Sequence, residues 1–586
     1  MRWNLKTCDE SAADTLAADA GLPLPLARLL VQRGISANDD AERFLRPELS
    51  HLHDPFLMLG MAAAVTRLEG AIAQKERVLI YGDYDVDGTT AIVILKTCVA
   101  LLGGNAEFHV PHRIKEGYGM RDDVLERAKE DGIALVISVD TGIRAFQAAE
   151  TARRLGLELI VTDHHLPEAG EGVPHALAVL NPNQPGCQYP CKDLCGAGVA
   201  FKIAQALLTR AGRENLVPSF LKMVAIATIA DSVPLVGENR VIARLGLDGL
   251  RRPVNGGLKA LMQVAQLENL GRPINATDIG FRLAPRINAA GRMDIAADVV
   301  ELFTTRDESR QRELAAKLNL LNADRQAEEA RIIAAINSRL DSEAALRESF
   351  CVVIAGDGWH RGVIGIAATR VVERTGKPAL VIAMDADGIA HGSGRSISGF
   401  HLLDALESAD CRALFTRFGG HAHAVGFTLP CDRVPELCAA MDAYARGRLT
   451  AEDFIPTLAV DSEVSLAELT PEFLRHLQRL EPYGMDNREP IFMIRNVRLA
   501  QPPRVLKEKH IKLRIVPNVG NGKSTRPVDA LAWRMAERFR IENLLAGDQL
   551  DLAFTLEENT HPDFGGLQMV IKDFVRVPAS EAAVVR

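Results

Sequence analysis

The sequence predicts an α/β fold: a parallel-sheet domain, joined by a long helix to a smaller α/β domain, and then a β-rich C-terminal domain. Three observations lead to this prediction. Short apolar runs alternate with helical patterns from about residue 76, residues 306–347 contain neither Gly nor Pro, and strand-like runs dominate from about residue 455. Alternating strands and helices are typical of a parallel sheet that is covered by helices on both faces.

The length and composition set the limits of this prediction. The chain has 586 residues, of which 47% are hydrophobic and 25% charged, so we expect two to four globular domains. The net charge of −8 argues against a basic surface over the whole molecule, and a nucleic-acid partner would need a local basic groove. No apolar run approaches about 20 residues, and the N-terminus lacks a signal-peptide pattern. These features, with nine scattered cysteines, predict a cytoplasmic protein without a membrane span.

The first half of the chain contains a predicted N-terminal helical segment, residues 1–70, and a predicted parallel-sheet domain, residues 71–305. The strand-like runs of that domain are "RVLIYGD", "AEFHVP", "ALVISVD", "LELIVTD" and "HALAVLNP". Helix formers fill residues 306–348, which predicts one long connecting helix. Two helices with a break near Asn322 would fit the same pattern.

The second half contains a predicted smaller α/β domain, residues 349–450, and a predicted β-barrel or sandwich, residues 455–580. In the α/β domain, "FCVVIAGDG" and "PALVIAM" are the expected strands, with a helix from about Gly362 between them. The strands expected in the C-terminal domain are "HIKLRIVP", "VDALAWRM", "QLDLAFTLEEN" and "LQMVIKDFVRV".

Carboxylates collect where the predicted strands end. The motif "YGDYDVDGTT" holds Asp83, Asp85 and Asp87, "VISVDTG" holds Asp140, and "VTDHH" holds Asp163 beside two histidines. We count the apolar run "AIATIADS", which brings Asp231 to its end, as a fourth strand-like run, although the longer stretch "LKMVAIATIAD" belongs to the helical patterns that dominate from Gly196 to about Arg252. One Asp at a strand end usually caps the next helix, but several such ends would repel one another.

Divalent cations would relieve this repulsion. Mixed carboxylate and imidazole ligands suit Mn²⁺, Mg²⁺ or Fe²⁺, and two such ions bridged by a carboxylate activate water for phosphoester hydrolysis. The cluster of Cys187, Cys191 and Cys195 lacks the two-residue spacing of zinc sites, so a plain loop is the favoured interpretation there and zinc the alternative.

Four motifs in order, "YGDYDVDGTT", "VDTG", "TDHH" and "ATIAD", resemble those of the DHH phosphoesterase superfamily. "GSGRS" and "FGGHAHAVG" resemble the accessory DHHA1-type domain that accompanies the DHH domain. Together with "VPHRIKEGYG", "APRINAAGRM" and the β-rich C-terminal region, the pattern resembles the bacterial exonucleases of this superfamily that digest single strands in the 5′→3′ direction. The resemblance extends from about Leu29 to Val577, and it implies an OB-like C-terminal domain.

The resemblance implies roles for the acidic and histidine side chains. The implied metal ligands, for two Mn²⁺ or Mg²⁺ ions, are Asp83, Asp85, Asp87, Asp140, His164 and Asp231. Among them Asp140 is the implied bridge, and Asp83 is either a ligand or a close neighbour of the ligands. Asp140, His164 and His165 are the implied catalytic residues; His165 is expected to face the substrate phosphate or a metal-bound water, and Asp163 is expected to orient His164. Related pyrophosphatases carry a histidine where this chain has Tyr81, which weakens a pyrophosphatase assignment.

A nuclease also has to bind phosphates, for which arginine is well suited. Residues expected to bind phosphate or the DNA strand are Arg113, Arg286, Arg292, Ser393, Arg395, Ser396, His421 and His423. Surface salt bridges are the alternative for each arginine, and a glycine-rich turn is the alternative for "GSGRS". "RVLKEKHIKLR", from Arg504 to Arg514, predicts either a strand face that binds DNA or a solvated edge strand.

The function implied by the resemblance is a two-metal hydrolase that removes nucleotides from the 5′ end of single-stranded DNA in repair and recombination. The implied partners are single-stranded DNA, a single-strand-binding protein and a helicase, and we expect a monomer. Two other hypotheses remain. A phosphoesterase of short oligonucleotides, cyclic dinucleotides or pyrophosphate would not need the C-terminal domain, and a non-catalytic scaffold would not need all the aspartates of the motifs.

Overall fold

A computed structural model of the chain describes residues 1–113, 116–168, 170–293, 295–518, 527–559 and 565–577. The chain divides into two compact units. The first consists of residues 1–51, 234–241 and 457–586, and the second of residues 52–233 and 242–456. Ile114 and Lys115 of "VPHRIKEGYG" and the last three residues of the predicted C-terminal domain lie outside the described residues.

The chain begins with a short strand and three helices, of which the strand was not expected from the sequence: β1 (Arg2–Leu5), α1 (Glu10–Ala20), α2 (Leu24–Val31) and α3 (Asn38–Leu45). Asp9 starts α1 by accepting a hydrogen bond from the Ala12 amide, and Gly21 ends it with a φ of 60°.

The parallel-sheet domain follows, and all five predicted strands are present. Its elements are α4 (Met61–Gln74), β2 (Arg77–Tyr81), α5 (Val86–Leu101), β3 (Asn105–His109), α6 (Asp122–Glu130), β4 (Leu135–Val139), α7 (Phe146–Leu155), β5 (Glu158–Thr162), β6 (Ala178–Leu180), α8 (Gly196–Arg210) and α9 (Val217–Ala230). The strands are all parallel in the order β3-β2-β4-β5-β6, which confirms the predicted sheet.

Apolar side chains cover both faces of this sheet. Val78 and Ile80 of β2 pack against α5, α8 and α9 on one face, and Leu79 and Tyr81 pack against α6 and α7 on the other. Successive residues of a strand point to opposite faces, so a strand that is buried on both sides is a continuous apolar run. This is why "RVLIY" contains no alternation of polar and apolar residues.

A series of helices connects the two α/β domains: α10 (Gly237–Gly249), α11 (Gly256–Val264), α12 (Ala276–Asp278), a π-helical turn (Ile279–Leu283), α13 (Ala284–Met293), α14 (Ala297–Thr304), α15 (Glu308–Ser342) and α16 (Ala344–Glu348). The long helix α15 runs without interruption through Asn322, so a long connecting helix is confirmed and the break near Asn322 is not present. The helix ends at Ser342, however, and the last residues of the predicted range form the separate short helix α16. Asn322 is buried and accepts a hydrogen bond from Arg325 at 2.7 Å.

The second α/β domain contains β7 (Val352–Asp357), α17 (Ile364–Thr375), β8 (Ala379–Met384), β9 (Ile389–Arg395), α18 (Leu402–Glu407), α19 (Ala409–Arg412), β10 (Arg417–His421), β11 (Ala424–Pro430) and α20 (Val434–Arg446). Its five-stranded sheet has the order β10-β11-β9-β8-β7, in which only β7 and β8 are parallel.

The C-terminal region is β-rich, as predicted: β12 (Thr457–Val460), β13 (Ser462–Glu463), α21 (Pro471–Gln478), β14 (Phe492–Leu499), β15 (Arg504–Leu506), β16 (His510–Pro517), β17 (Val528–Ala532), α22 (Ala536–Glu542), β18 (Gln549–Asn559) and β19 (Gly566–Arg576). The sheet order is β13-β14-β18-β19-β17-β16-β15, and an additional pairing of β14 with β16 closes five strands into a ring. Of the stretch from Arg504 to Arg514, β15 lies at the edge of the sheet, as the alternative interpretation expected, whereas β16 pairs on both sides and is not an edge strand.

The N-terminal helices belong to the same unit as this ring. β1 pairs with β12 in parallel, and Leu26 and Leu30 of α2 lie in one apolar cluster with Phe554 and Phe574 of the ring. The buried Arg240 guanidinium donates hydrogen bonds to the carbonyls of Phe44, Leu480, Arg479 and Glu481 at 2.8–3.0 Å. Three segments that are far apart in the sequence therefore form one folded unit.

Within the described residues no single helix is long and apolar enough to cross a membrane, although the bent pair Leu49–Leu57 and Met61–Gln74 passes the same test of length and composition.

Candidate metal centre and phosphate site

The predicted acidic residues lie at the carboxyl edge of the parallel sheet. Across the sheet the strands lie in the order β3-β2-β4-β5-β6. The chain therefore proceeds in one direction from β2 to β3 and in the other from β4 onward, and the winding reverses between β2 and β4. Ligands in open α/β sheets bind in the crevice at such a switch point. Asp83 follows β2 and Asp140 follows β4, and the topology therefore brings them together.

Asp85 and Asp87 each hold the start of a helix. Asp85 accepts hydrogen bonds from the Asp87 and Gly88 amides at 2.9 and 3.0 Å and so caps α5. Asp87 accepts hydrogen bonds from the Gly196 and Ala197 amides, the first of α8, at 2.6 and 2.8 Å. A carboxylate has about four lone-pair sites, so capping leaves further sites for another partner. The capping interpretation is thus correct for both residues without excluding a ligand role.

Three overlapping groups of side chains have the geometry of metal ligands. They are Asp83 with Asp85 and Asp140, Asp87 with His164 and Asp231, and Asp140 with His164 and His165; within each group the potential ligand atoms lie within 4.8 Å of one another. Asp140 and His164 each belong to two groups. His164 Nε2 lies 3.2 Å from Asp140 Oδ1, 3.7 Å from Asp87 Oδ2 and 3.8 Å from Asp231 Oδ2.

The electrostatics of this cluster fit hard divalent cations. Asp83 Oδ1 and Asp140 Oδ1 are buried and have no hydrogen-bond donor among the described residues. Burial, and then the negative charges of Asp85 and Asp87, hold the pKa values of Asp83 and Asp140 well above their ordinary range. Burial and the charge of Asp87 also raise the pKa of Asp231 to about 8. Oxygen and imidazole donors that repel one another in this way are suited to Mn²⁺ or Mg²⁺.

Asp163 positions His165, which differs from the expectation that it orients His164. Asp163 Oδ1 accepts a hydrogen bond from His165 Nδ1 at 2.7 Å, whereas it contacts His164 through the backbone amide at 2.8 Å. Burial by itself would raise the pKa of Asp163, but the hydrogen bond and charge of His165 outweigh it and lower the pKa. Burial lowers the pKa of His165, but the hydrogen bond to Asp163 and its charge outweigh burial and raise the pKa to about 9. Burial lowers the pKa of His164.

Two backbone features bring Asp140 close to α8. Asp140 has a φ of 58°, in the left-handed region that residues with a Cβ rarely adopt. A Cβ on Gly196 would lie 2.5 Å from the Cβ and 2.7 Å from Oδ1 of Asp140. The absence of a side chain at Gly196 is therefore required for this approach.

Asp231 lies at the end of a helix, not a strand. "LKMVAIATIAD" belongs to α9, and Asp231 is its C-terminal cap residue. The helical interpretation of this stretch is confirmed, and the strand-like one is wrong. α9 is apolar on nearly all sides, as a helix in the middle of a core is, and short apolar runs by themselves do not distinguish a buried helix from a strand.

Four residues that the sequence analysis did not single out support the centre. Asn181 and Asn183 donate hydrogen bonds to the carbonyls of His165 and His164 at 2.8 and 3.0 Å, and Asn288 accepts one from the Val86 amide at 3.1 Å. The Tyr118 hydroxyl lies 3.4 Å from both His165 Nδ1 and the Asp140 carbonyl. Asn181 and Asn183 follow β6 directly, so polar residues at a strand end were the signal. Tyr81 itself is buried and donates to the Gly119 carbonyl at 3.0 Å.

Three of the predicted arginines form a cationic cluster next to the acidic one. The Arg113 guanidinium lies over the Tyr84 ring at 4.9 Å, and Arg292 donates a hydrogen bond to the Gly362 carbonyl at 2.8 Å. Burial, and then repulsion by Arg113, Arg325 and Arg395, lower the pKa of Arg292 to about 10. Burial and the charge of Arg113 also lower the pKa of Arg395. In the described part of the chain none of Arg113, Arg292 and Arg395 pairs with a carboxylate, which argues against the salt-bridge alternative.

The first four residues of "GSGRS" lie in strand β9 and Ser396 follows it, so the motif is not the glycine-rich turn that was the alternative. Arg395 donates hydrogen bonds to Ser393 Oγ at 3.2 Å and to the Gly394 carbonyl at 2.7 Å. The N-terminal turn of α17 lies against these two side chains, because a Cβ on Gly365 would lie 3.1 Å from both Arg395 Nη2 and Ser393 Oγ. A helix N-terminus beside an arginine is favourable for an anion.

The remaining predicted phosphate residues differ in their placement. His421 of β10 and Arg395 of β9 lie on opposite sides of β11, because Ala424 of β11 pairs with both residues. The exposed His423 lies between β10 and β11, in the turn of their hairpin. The Ser396 hydroxyl donates to the Phe400 carbonyl at 2.6 Å within its own loop. Arg286 donates to Asn319 Oδ1 at 3.0 Å, and within the described residues it forms no ion pair with the acidic cluster.

The three clustered cysteines fit the plain-loop interpretation. Cys195 is buried, and its sulfur accepts a hydrogen bond from the Gly198 amide at 3.4 Å at the start of α8. Cys187 and Cys191 form no disulfide bond within the described residues. Among the residues that the structure describes, none of the groups with metal-ligand geometry includes a cysteine.

Comparison with known protein families agrees with this architecture. The model described as "DHH family, N-terminal domain" matches residues 77–228, "DHHA1 domain" matches residues 347–447, and "RecJ OB domain" matches residues 460–573. The domain boundaries predicted from the sequence are not tested by these matches and stay a prediction.

Two curated relatives are similar over nearly the whole chain. The single-stranded-DNA-specific exonuclease RecJ of Bacillus subtilis is 37% identical over 98% of this chain and 70% of its own length. The Escherichia coli protein of the same name is 34% identical over 97% of this chain and 99% of its own length. Crystal structures of RecJ from Thermus thermophilus match as well, one in complex with Mn²⁺ (TM-score 0.82, 28% identity, 99% of this chain and 80% of that one) and one with Mg²⁺ (TM-score 0.76, 28% identity, 99% and 79%). The chain belongs to the RecJ family of single-stranded-DNA-specific exonucleases.

Proposed function

We propose that this protein is a nuclease that uses two Mn²⁺ or Mg²⁺ ions to release mononucleotides from the 5′ end of single-stranded DNA. The observation that carries the proposal is the pair of adjacent clusters, one of unneutralised carboxylates and one of arginines that lack a carboxylate partner among the described residues. Cations on the first and a phosphodiester on the second would neutralise both at once. The comparisons support the substrate class, because the relatives are named single-stranded-DNA-specific exonucleases.

The metal ligands would be Asp83, Asp85, Asp87, Asp140, His164 and Asp231, with Asp140 as the bridge. Sharing of Asp140 between two ligand groups supports the bridging role, and the buried Oδ1 of Asp83 supports direct ligation over a supporting role. When bound, two divalent ions supply a nucleophilic water at neutral pH and neutralise charge on the reacting phosphate.

The protein's own residues would hold and orient the substrate. Arg113, Arg292 and Arg395, with Ser393, would bind the 5′-terminal phosphate, because planar guanidinium groups meet phosphate oxygens in pairs. His165, with its Nδ1 held by Asp163, would offer Nε2 to an oxygen of the scissile phosphate. A phosphate-binding site beside the acidic centre would hold the 5′ end of the DNA at the metal ligands. This gives a physical reason for cleavage from the 5′ end.

The ring of strands in the first unit would bind single-stranded DNA. In β16, Ile511, Leu513 and Ile515 are buried while Lys512 and Arg514 alternate with them on the outer face. Lys512 Nζ forms an ion pair with Asp529 Oδ2 at 2.8 Å, which weakens the attraction of Lys512 for the DNA backbone. Trp533, half exposed beside His510, offers a surface for base stacking.

Digestion of end-labelled strands tests the proposal. A 5′-phosphorylated single-stranded 20-mer should release labelled mononucleotide from its 5′ end first, with Mn²⁺ or Mg²⁺ and not with EDTA. The matching duplex should be resistant. Earlier release of a 3′ label, or equal digestion of duplex, would contradict the proposal. Asp140→Ala should bind less Mn²⁺ than the parent in calorimetry, and equal binding would show that Asp140 is not a ligand.

The alternative of a small-substrate phosphoesterase finds less support, because residues 460–573 match an OB domain. Deleting the C-terminal region would be a poor test, since Leu26, Leu30 and the rest of the apolar face of α2 pack in the same cluster as that region. Lys512→Glu with Arg514→Glu is a better test: lower activity on long strands with unchanged activity on dinucleotides would support the nuclease. The scaffold alternative is weakened because all the motif aspartates lie in or beside the centre.

The resemblance of the sequence extends the proposal to a role in repair and recombination, beside a single-strand-binding protein and a helicase, as a cytoplasmic monomer. Copurification and sedimentation measurements would test these points.

A further inference from the structure

Phe281 is an exposed aromatic residue on a rigid helix. Its side chain is 76% exposed, although it lies in the π-helical turn whose neighbours Ile279 and Leu283 are fully buried. π-Helical turns occur frequently at functional sites because the extra residue displaces a side chain from the regular helix surface. The turn thus anchors the helix in the core while it presents the Phe281 ring to solvent.

Two arginines, Arg282 and Arg286, lie next to Phe281 on the same helical segment. Arg286 donates to the Arg282 carbonyl and to Asn319 Oδ1. Burial, and then repulsion by Arg282, lower the pKa of Arg286. Across the described ranges neither arginine forms an ion pair. The segment therefore carries one exposed ring and two guanidinium groups without an ion-pair partner among the described residues, and we define Phe281, Arg282 and Arg286 as the platform.

The same helix leads directly to the candidate centre. Asn288, two turns after Phe281, accepts the hydrogen bond from the Val86 amide at the start of α5. Gly291 lies so close to the Tyr84 backbone that a Cβ there would be 2.4 Å from the Tyr84 carbonyl oxygen. Arg292 belongs to the arginine cluster. Phe281 stands seven positions before Asn288, a rise of about 10 Å along an α-helix, so the platform lies about 10 Å along the helix from a residue that supports the centre.

We propose that this platform holds the single-stranded substrate next to the segment being cut: Phe281 stacks on a base, and Arg282 and Arg286 contact the flanking phosphates. The inference rests on the proposed function and names a positioning residue, Phe281, for it. A nucleobase can stack on the aromatic ring, and phosphates can pair with the two cations. Surfaces that bind single strands without sequence preference combine these two interactions. Bases within a duplex are already stacked, so the platform would favour single strands.

Substitution of Phe281 separates this role from the chemistry. Phe281→Ala should raise KM for a 5′-phosphorylated 20-mer roughly 5- to 150-fold, the equivalent of losing one stacked base, with kcat little changed. Activity on a 5′-phosphorylated dinucleotide, which does not reach the platform, should stay within about twofold of the parent. Phe281→Trp should restore the KM of the 20-mer, which a merely structural role would not predict. Val254→Ala, at an equally exposed apolar residue (77%) beside the amino end of β3, is the matched control and should change neither substrate.

A spectroscopic measurement locates the contact. In EDTA, 20-mers with one 2-aminopurine at positions two to six should show quenching at a single position, and Phe281→Ala should abolish it. Arg282→Ala and Arg286→Ala should each reduce the slope of log affinity against log salt by about 0.7. Parent-like KM and quenching in Phe281→Ala would overturn the inference while leaving the proposed function intact. Failure of the parent to digest either substrate would instead overturn the proposed function and, with it, the inference.

Discussion

Replacing Asp163 by asparagine tests the support of the candidate centre most directly. Asp163 is 1% exposed, and its two oxygens accept hydrogen bonds from both sides of the loop. Its Oδ1 accepts from the His164 and His165 amides and from His165 Nδ1 at 2.8, 3.2 and 2.7 Å, and its Oδ2 accepts from the Ile143 amide at 2.9 Å. Asparagine has nearly the same shape but only one acceptor oxygen, so the change isolates charge and hydrogen bonding from packing.

The expected magnitude follows from these contacts. If the amide oxygen of the asparagine takes the Oδ1 position, its NH₂ group takes the Oδ2 position and faces the Ile143 amide. The hydrogen bond from the Ile143 amide to a charged oxygen is then lost, and two N–H donors face each other. Such a loss costs about 1.5–3 kcal/mol, and weaker bonds to a neutral oxygen add to it, so we expect about 3 kcal/mol of destabilisation. The pKa of His165, which Asp163 raises to about 9, should fall toward its ordinary value. Loss of such support for an active-site histidine typically lowers activity 10- to 100-fold.

Urea unfolding of the metal-free protein at pH 7 measures the first effect, and digestion of a 5′-phosphorylated oligonucleotide measures the second. The folded-state pKa of Asp163 is lowered, so the stability from its charge is present above the ordinary carboxyl pKa and is lost as the pH falls through the lower folded value. The difference between parent and variant should therefore shrink in acid. Asp123→Asn, at an exposed ion pair with Arg121, is the control and should cost about 0.5 kcal/mol or less. Equal stability of the two variants with full activity of Asp163→Asn would refute the reasoning.

Three further changes have defined outcomes. Gly196→Ala should weaken Mn²⁺ binding at least tenfold in calorimetry, because the new methyl group displaces Asp140, whereas Gly198→Ala, whose Cβ would have a nearest contact of 3.3 Å, should bind Mn²⁺ nearly as the parent does. Mn²⁺ should raise the melting temperature more at pH 8 than at pH 6. The raised pKa of Asp231, about 8, means that the stability contributed by its proton in the metal-free protein is lost as the pH rises toward that value, and an equal shift at both pH values would argue against this. Arg395→Ala should raise KM roughly 10- to 150-fold for 5′-phosphorylated strands and much less for 5′-hydroxyl strands, and equal effects on both would exclude a role at the terminal phosphate.

Local sequence patterns predicted most of the elements and most of the candidate site. "RVLIY", "LVISV" and "ELIVT" are strands because apolar residues on both sides of a chain require burial on both faces of a sheet. Residues 308–342 form one helix because helix formers fill them without Gly or Pro. The aspartates at strand ends were recognisable because parallel strands present their carboxyl ends at one edge.

Contacts between distant segments lay beyond those patterns. Only the folded chain decides that Asp163 holds His165, that α13 carries Arg292 to the arginine cluster, and that α2 packs with the C-terminal ring. Periodicity records whether a face is buried, but it does not record what buries it. The amino-acid sequence by itself therefore determined the elements and the chemical character of the site, whereas the tertiary structure decided which of those groups meet, because packing between segments far apart in the chain depends on surfaces that no local stretch contains.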